Sequence, residues 1–227
     1  MARITDYTFL LQQMFGTKSN TGMVNPIKVS SLSSGATQAH LKAAGINTNS
    51  AQYKAAVKEM TKHAGSAAMF TNVQAIKNLM SQYDKDGDYI DPTTGLAGLL
   101  LTDENRASSK RIISIPESSR EEMFQMMKKE FLRENGVLNG DTTKRSDVYT
   151  NLYRQMDKKD RLAAGYTMQQ YERQYRQAFL AATKSADPNW KIGQPVKSGA
   201  LDSITRETVE TNNVSSQITK KAVDIKI

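Results

Sequence analysis

Apolar side chains recur at helical spacing through most of the middle of the chain. Between residues 71 and 83, Val73, Ile76, Leu79 and Tyr83 follow one another at three- or four-residue intervals and form one apolar stripe. Similar patterns, bounded by Ser, Thr, Gly or Pro, predict helices over 37–45, 50–65, 71–83, 118–136, 146–157 and 167–184, with a further short helix over 201–209. The chain is therefore expected to be mainly α, with a helical bundle-like domain.

Two of the predicted helices carry clear boundary signals. Thr37 is placed as the N-cap of the first helix, and Gly45 as its stop. Ser118 and Glu121 have the spacing of a capping box, and Gly136 follows as the C-terminal stop of that helix.

Two short runs between these helices have a different composition. GLAGLLL and RIISI are leucine-rich or β-branched, and the polar segment TDENRASSK separates them. Short apolar runs joined by a polar connection are typical of a small hairpin. We therefore expect a β-hairpin element near Leu99–Ile115, ended by Pro116.

Both ends of the chain lack a periodic apolar pattern. Residues 16–36 are rich in Ser, Thr, Asn and Gly, which predicts a flexible segment. An apolar patch precedes it, at Tyr7, Phe9, Leu10, Leu11, Met14 and Phe15. Such a patch is expected to dock onto the protein's own body or onto a partner. The predicted organisation is an N-terminal arm at 1–36, a helical domain at 37–186 and a polar C-terminal arm at 187–227.

The segment YDKDGDYIDPTTG, residues 83–95, directly follows a predicted helix and contains four aspartates. Asp84, Asp86 and Asp88 alternate, as carboxylates do when a loop wraps them around a calcium ion. These three residues resemble the first half of an EF-hand loop, at its positions one, three and five. With Asp91 as a further oxygen ligand, they form the predicted structural Ca²⁺ site.

A second interpretation of this segment stays open. The sixth position of an EF-hand loop is normally glycine and the twelfth glutamate, whereas this chain has Tyr89 and Gly95. Aspartates in a turn also accept hydrogen bonds from nearby backbone amides as Asx turns. Asp91 with Pro92 has, in addition, the pattern that starts a short helix.

The composition and motifs favour a non-enzymatic protein. The chain has no cysteine, which excludes disulfides, thiolate nucleophiles and Cys-based zinc sites. His40 and His63 are its only imidazoles, on different predicted helices. The adjacent Glu121 and Glu122 point to different helix faces, and neither a phosphate loop nor a GxGxxG motif is present.

The net charge of +8 is unevenly distributed. Residues 1–80 carry eight Lys and Arg against two Asp and Glu, whereas residues 81–140 have a net charge of −3. The run Lys144–Arg161 interleaves six cations with Tyr149 and Tyr153, a combination that holds single-stranded nucleic acid. Aspartates in the same run favour a solvated helix face with i,i+4 ion pairs. A basic nucleic-acid-associated protein is therefore the alternative, and it is not favoured.

Two apolar stripes on the predicted helices allow a binding or a core interpretation. Tyr171 and Tyr175 lie one turn apart beside Arg173 and Arg176, which would suit a stacking platform. The methionines of Met123–Met127 would suit an adaptable partner groove. Stripes with this spacing more often pack in the core, so we expect both to be buried.

The remaining patterns bear on location and partners. No apolar run approaches the roughly 18 residues of a membrane span, and the leading MARITDYTFLLQQMFG does not have the pattern of a secretory signal. A cytoplasmic location is expected, with export without a cleaved signal as the alternative. Polar arms and a docking patch favour a structural or interaction role, through a protein partner or self-assembly.

Three longer motifs carry a family resemblance. The run SREEMFQMMKKEFLRENGVLNGDTTKRSDV, together with ADPNW and GALDSITRETVE, resembles short uncharacterised proteins of Gram-positive anaerobic bacteria, a family with no assigned function. The resemblance extends over about residues 37–210 and implies no active-site residue.

Overall fold

The computed structural model of the protein describes residues 25–63, 70–138 and 142–211. Within these segments the chain is mainly helical with one two-stranded antiparallel sheet, which confirms the predicted fold class. The elements are β1 (Ile27–Lys28), α1 (Gly35–Ala43), α2 (Ala51–His63), β2 (Phe70–Thr71), α3 (Val73–Met80), α4 (Glu117–Arg133), α5 (Thr142–Gln155), α6 (Arg161–Ala186) and α7 (Arg206–Glu210). They divide between two compact units, the first ending at Ala97 and the second beginning at Gly98.

The first unit is built around a small sheet and three helices. β1 pairs with β2 so that Ile27 lies opposite Thr71, and the Tyr53 hydroxyl donates a hydrogen bond to the Leu32 carbonyl at 3.0 Å. The buried apolar cluster consists of Ile27, Val29, Leu32, Leu41, Ile46, Tyr53, Ala56, Met60, Ile76 and Leu79. Burying one such large side chain contributes roughly 1.5–3 kcal/mol, so this cluster is the main source of stability in the unit.

Part of the segment expected to be a flexible arm belongs to this core. Ile27, Val29 and Leu32 lie within residues 16–36 and are buried. They were missed because the residues that cover them, such as Tyr53, come from helices later in the chain. The predicted docking patch at Tyr7–Phe15 lies outside the described residues.

Helix α1 begins earlier than predicted because Ser34, not Thr37, caps it. The Ser34 hydroxyl accepts a hydrogen bond from the Thr37 N–H at 3.3 Å. At the other end Gly45 has a φ of 80°, and the Ile46 N–H donates to the Leu41 carbonyl at 2.9 Å. This left-handed glycine closes the helix as the sequence predicts.

The second unit packs α4, α5 and α6 around an aromatic core. The Phe124 ring lies 5.2 Å from that of Tyr175 and 5.3 Å from that of Phe179, measured between centroids. Phe131 contacts Phe179 in turn and also the indole of Trp190. These tilted and edge-on contacts add to the hydrophobic burial that holds the helices together.

The two apolar stripes for which a binding role was open are part of this core. Tyr171 and Tyr175 are 2% and 0% exposed, and Met123 and Met127 are 0% and 2% exposed. The core interpretation of both stripes is therefore confirmed.

The predicted position of the β element is wrong. Leu99–Ile115 contains no strand, and the sheet of the structure instead joins β1 to β2. The β-branched run is extended but packs on a helix: Ile115 is buried in the core of the second unit, and the Ile113 N–H donates to the Thr167 hydroxyl at 3.1 Å. Contacts with α6 therefore replace the expected strand pairing.

The predicted capping box of α4 is also absent. The helix starts at Glu117, after Pro116, and no side chain caps it. Glu121 instead accepts hydrogen bonds from Arg206 and Gln125, both at 2.8 Å. A buried guanidinium binds this carboxylate in place of the backbone N–H that a capping box would use.

The chain after Asp187 contributes to the second unit, although its composition predicts an arm. Trp190 and Leu201 are buried in the core, and Thr205 caps the short helix α7. None of the described helices is long and apolar enough to cross a membrane.

Candidate functional site

The acidic segment forms a tight turn at the end of the first unit. Tyr83 and Tyr89 face each other in an isolated antiparallel bridge, and the Ile90 N–H donates to the Gln82 carbonyl at 2.8 Å. Gly87 has a φ of 88°, and a Cβ at this position would lie 3.1 Å from the Ala51 carbonyl oxygen. Glycine therefore suits both the backbone angle and the space available.

Asp84 organises the turn through its own carboxylate. Its Oδ1 accepts the N–H of Asp86 at 3.0 Å and the N–H of Asp88 at 2.9 Å. The Asp84 N–H in turn donates to the Asp88 carbonyl at 2.9 Å. This is the Asx-turn arrangement that the sequence left open as the second interpretation.

Asp91 has the same role in the next turn. Its Oδ1 accepts hydrogen bonds from the N–H groups of Thr93 at 3.0 Å and Thr94 at 2.8 Å, and from the Thr94 hydroxyl at 3.0 Å. Residues after Pro92 form a turn and not the short helix that this pair allows. Asp91 therefore caps a turn.

The calcium assignment to Asp84, Asp86, Asp88 and Asp91 stays a prediction. Across residues 25–63, 70–138 and 142–211, no group of three or more His, Asp or Glu side chains is placed to hold a metal ion. An ion at this turn would compete with backbone N–H groups for the Oδ1 atoms of Asp84 and Asp91.

The tyrosines beside the acidic turn have altered acidity. Burial, followed by the negative charge of Glu59, raises the pKa of Tyr83 to about 12. Burial and the charge of Asp91 raise the pKa of Tyr89. Both phenols are neutral at physiological pH, and their rings meet edge to face at 6.0 Å.

The largest charged cluster described lies in the second unit, around Arg206 at the start of α7. Its guanidinium is only 5% exposed and binds four carboxylates. The nitrogen-to-oxygen distances are 2.5 Å to Glu117, 2.8 Å to Glu121, 2.6 Å to Glu207 and 2.9 Å to Glu210. We call these five residues, together with Arg120 and Tyr175, which also bind Glu210, the Arg206 network.

Two further residues bind the buried carboxylate of Glu210, which Arg206 also binds. Glu210 accepts hydrogen bonds from Arg120 and from the Tyr175 hydroxyl. The Arg120 guanidinium also lies 5.4 Å from the centroid of the Tyr171 ring. The network therefore joins α4, α6 and α7.

The electrostatics favour the ionised network. Burial by itself would lower the pKa of Arg206, but the hydrogen bond to Glu121 and the charges of Glu210 and Glu207 raise that pKa overall. Burial, together with the hydrogen bond to Glu210, raises the pKa of Tyr175, so the phenol remains a donor. Each of the three nitrogens of the Arg206 guanidinium has a carboxylate partner, so the network suits a structural role.

The basic helix considered for nucleic acid uses part of its charge and one tyrosine internally. The Tyr149 hydroxyl donates to Glu172 at 2.7 Å, and Arg145 lies 3.2 Å from the other oxygen of the same carboxylate. Burial and Glu172 raise the pKa of Tyr149. The Tyr153 hydroxyl packs closely over Gly165. Both rings are partly buried, whereas a stacking platform presents exposed rings.

The other residues considered for catalysis are not brought together. His40 is exposed on α1, and the side chain of His63 lies outside the described set. Glu121 belongs to the Arg206 network, whereas its neighbour Glu122 is exposed. These placements form no facing pair of carboxylates.

An open groove lies on the second unit, between the end of α6 and the loop that follows. It has a volume of about 440 Å³ and is lined by Leu180, Ala181, Lys184, Trp190, Lys191 and Ile192. Its rim residue Ile192 is 53% exposed. We call this feature the Trp190 groove.

Sequence patterns did not indicate the Arg206 network or the Trp190 groove. The network pairs residues 85 to 90 positions apart, a separation at which no periodic signal survives. For the groove, the only usable signal was Trp190, a large apolar residue inside a segment that otherwise has the composition of an arm.

The fold and these sites define a mainly helical protein with a packed ionic network and an open groove. Residues 46–227 match the family described as Domain of unknown function (DUF3879), so the chain belongs to that family. No curated protein and no solved structure matches the chain.

Proposed function

We propose that this protein is non-enzymatic and acts by binding another protein or a second copy of itself. The observation that supports the proposal is the Trp190 groove, where the large apolar side chain of Ile192 is 53% exposed beside an apolar floor. Protein interfaces are centred on such concave apolar sites with a polar rim.

The placement of the charged groups also supports a binding role. The buried charges of the Arg206 network are used to join helices, and Glu172 binds both Tyr149 and Arg145 between α5 and α6. These groups are occupied with packing, which favours a scaffold that presents a surface.

Site-specific photo-crosslinking tests the proposal. A photoreactive amino acid is placed at Ile192, or at the control position Asp103, which is 94% exposed in the same unit. In cells that produce the protein, we expect one crosslinked species of defined mass from position 192 and none from position 103. Identical patterns from both positions, or no crosslink from either, would contradict a binding role for the groove.

A second, narrower candidate is a weak structural calcium site in the acidic turn. It is supported by the alternation of Asp84, Asp86 and Asp88, with the backbone turned tightly at Gly87 between them. An ion held there would fasten the end of α3 to the chain that begins at Pro92.

Calorimetric titration with calcium chloride decides this candidate. We expect heat of binding from the wild type and none from the triple variant Asp84→Ala, Asp86→Ala, Asp88→Ala. The variant Asp103→Ala, which removes an exposed carboxylate elsewhere, should bind as the wild type does. Absence of heat from the wild type at millimolar calcium would leave the segment as a hydrogen-bonded turn.

A further inference from the structure

The Trp190 groove has two walls with different origins. One wall is the last part of α6, with Leu180, Ala181 and Lys184, and the other is the loop that carries Trp190 and Ile192. A volume of about 440 Å³ is sufficient for one or two large side chains of a partner. The groove is therefore suited to a short segment and not to a flat protein face.

Hydrogen bonds hold the loop wall in place. The Trp190 indole N–H donates to the Gln194 carbonyl at 2.9 Å, and the Lys191 N–H donates to the Gln194 side chain at 2.8 Å. The Gly193 N–H donates to the Asn135 carbonyl at 2.8 Å and ties the loop to the end of α4. The wall is preorganised, which lowers the entropic cost of binding.

Because the loop is held in place, the exposed Ile192 side chain has a defined position. A single exposed isoleucine on a protein surface is ordinary. Here, however, the side chain stands on a hydrogen-bonded loop next to the indole of Trp190, and it is 53% exposed. The loop therefore presents an apolar side chain at the rim of a groove that is large enough to accept an apolar side chain of a partner.

The positive charge of the groove favours negatively charged partner segments. Its two ionisable lining residues are Lys184 and Lys191, one on each wall, and no acidic residue lines it. Both lysines are exposed, and no ion pair of either is found among the described residues. A carboxylate on each side of an apolar side chain would complement this arrangement.

Building on the proposed function, we infer that the Trp190 groove binds an acidic segment of a partner protein. That segment carries one large aliphatic or aromatic side chain, which enters between Leu180 and Ile192. Aspartates or glutamates flank this side chain and pair with Lys184 and Lys191. The apolar contact provides most of the affinity, and the lysines provide selectivity.

Selection from a displayed library of random peptides tests this inference on the full chain. The wild type is the bait, and the variant Ile192→Asp serves for counter-selection, since it places a negative charge at the rim. We expect enriched peptides with a large apolar residue flanked by Asp or Glu, which bind the Ile192→Asp variant at least tenfold more weakly. Ile192 is exposed, so this variant should fold normally, as circular dichroism will show.

Charge reversal provides the second arm. The double variant Lys184→Glu, Lys191→Glu should lose the acidic peptides by at least tenfold and bind versions in which each Asp and Glu is replaced by Lys. The matched control, Lys129→Glu, changes an exposed lysine of α4 that is not part of the groove lining.

Several results would overturn the inference. Enrichment of neutral apolar peptides, of basic peptides, or of peptides that bind Ile192→Asp as well as wild type would each exclude an acidic partner at this groove, as would no enrichment at all. A crosslink at position 192 to a partner without an acidic segment would preserve the proposed function and reject only this inference.

Discussion

Gly136 joins a backbone constraint and a packing constraint at one residue. Its φ of 81° is in the left-handed region, and a Cβ added there would lie 2.6 Å from Cη2 of Trp190. Gly193, by contrast, has a φ of 94° with no atom within 4 Å of an added Cβ. Substitutions at these two glycines therefore distinguish the free-energy cost of a left-handed backbone from the cost of steric overlap.

We expect Gly136→Ala to destabilise the protein by about 3 kcal/mol, because left-handed strain and displacement of the indole act together. Gly193→Ala should cost about 1 kcal/mol, since only the strain applies. Urea unfolding of both variants measures the difference. Equal losses would mean that the indole does not pack against Gly136 as described.

Helix α7 depends on the Arg206 network for its existence as an element. It has five residues, and isolated helices of this length are unstable in water. The Arg206 side chain binds carboxylates of α4 and α7, and Lys128 donates to the Ile204 carbonyl at 3.1 Å just before the helix. Contacts with α4 therefore hold the helix in place.

Replacement of this buried cation tests the dependence. We expect Arg206→Met to lower the free energy of unfolding by about 3 kcal/mol, because several carboxylates lose their shared partner. Arg106→Met is the control, since its ion pair with Asp103 is exposed and should contribute at most about 0.5 kcal/mol. Denaturant unfolding gives both values.

Amide hydrogen exchange locates the effect of Arg206→Met. Faster exchange should be concentrated at residues 206–210, with smaller changes in α4. Unchanged exchange of those amides would show that the network does not hold α7.

The helices were predictable because each buries one face, and burial on one face leaves a local period in the sequence. The strands and the irregular segment Leu99–Ile115 were not, since β1 is two residues long and Ile115 is buried by distant helices. The alternating aspartates were found, but spacing could not show that Asp84 already binds two amides.

At the scale of the whole molecule, the family match includes part of the first compact unit and all of the second. It covers residues 46–227, whereas the motifs of the sequence suggested about 37–210. The first unit ends at Ala97, within that span. The family is therefore defined by a chain that contains the acidic turn as well as the Trp190 groove.

The net charge of +8 is expected to give the protein a weak, sequence-independent electrostatic attraction to nucleic acid. In a gel-shift assay with a single-stranded DNA of about 30 nucleotides, we expect any complex formed at about 0.05 M salt to disappear at about 0.15 M. The reason is that the Tyr149 ring packs against the core of the second unit and is only partly exposed, so phosphate contacts would provide most of the attraction. A complex that persists at the higher salt would favour the nucleic-acid alternative.

The single tryptophan of the chain is Trp190, buried against Phe131 in the second unit. Its fluorescence therefore reports the thermal unfolding of that unit and does not report the unfolding of the unit that ends at Ala97. Far-ultraviolet circular dichroism reports the loss of helices in both units. Heating curves recorded by the two methods will coincide only if the whole chain unfolds as one cooperative system, and a gap between them will measure the difference in their thermal tolerance.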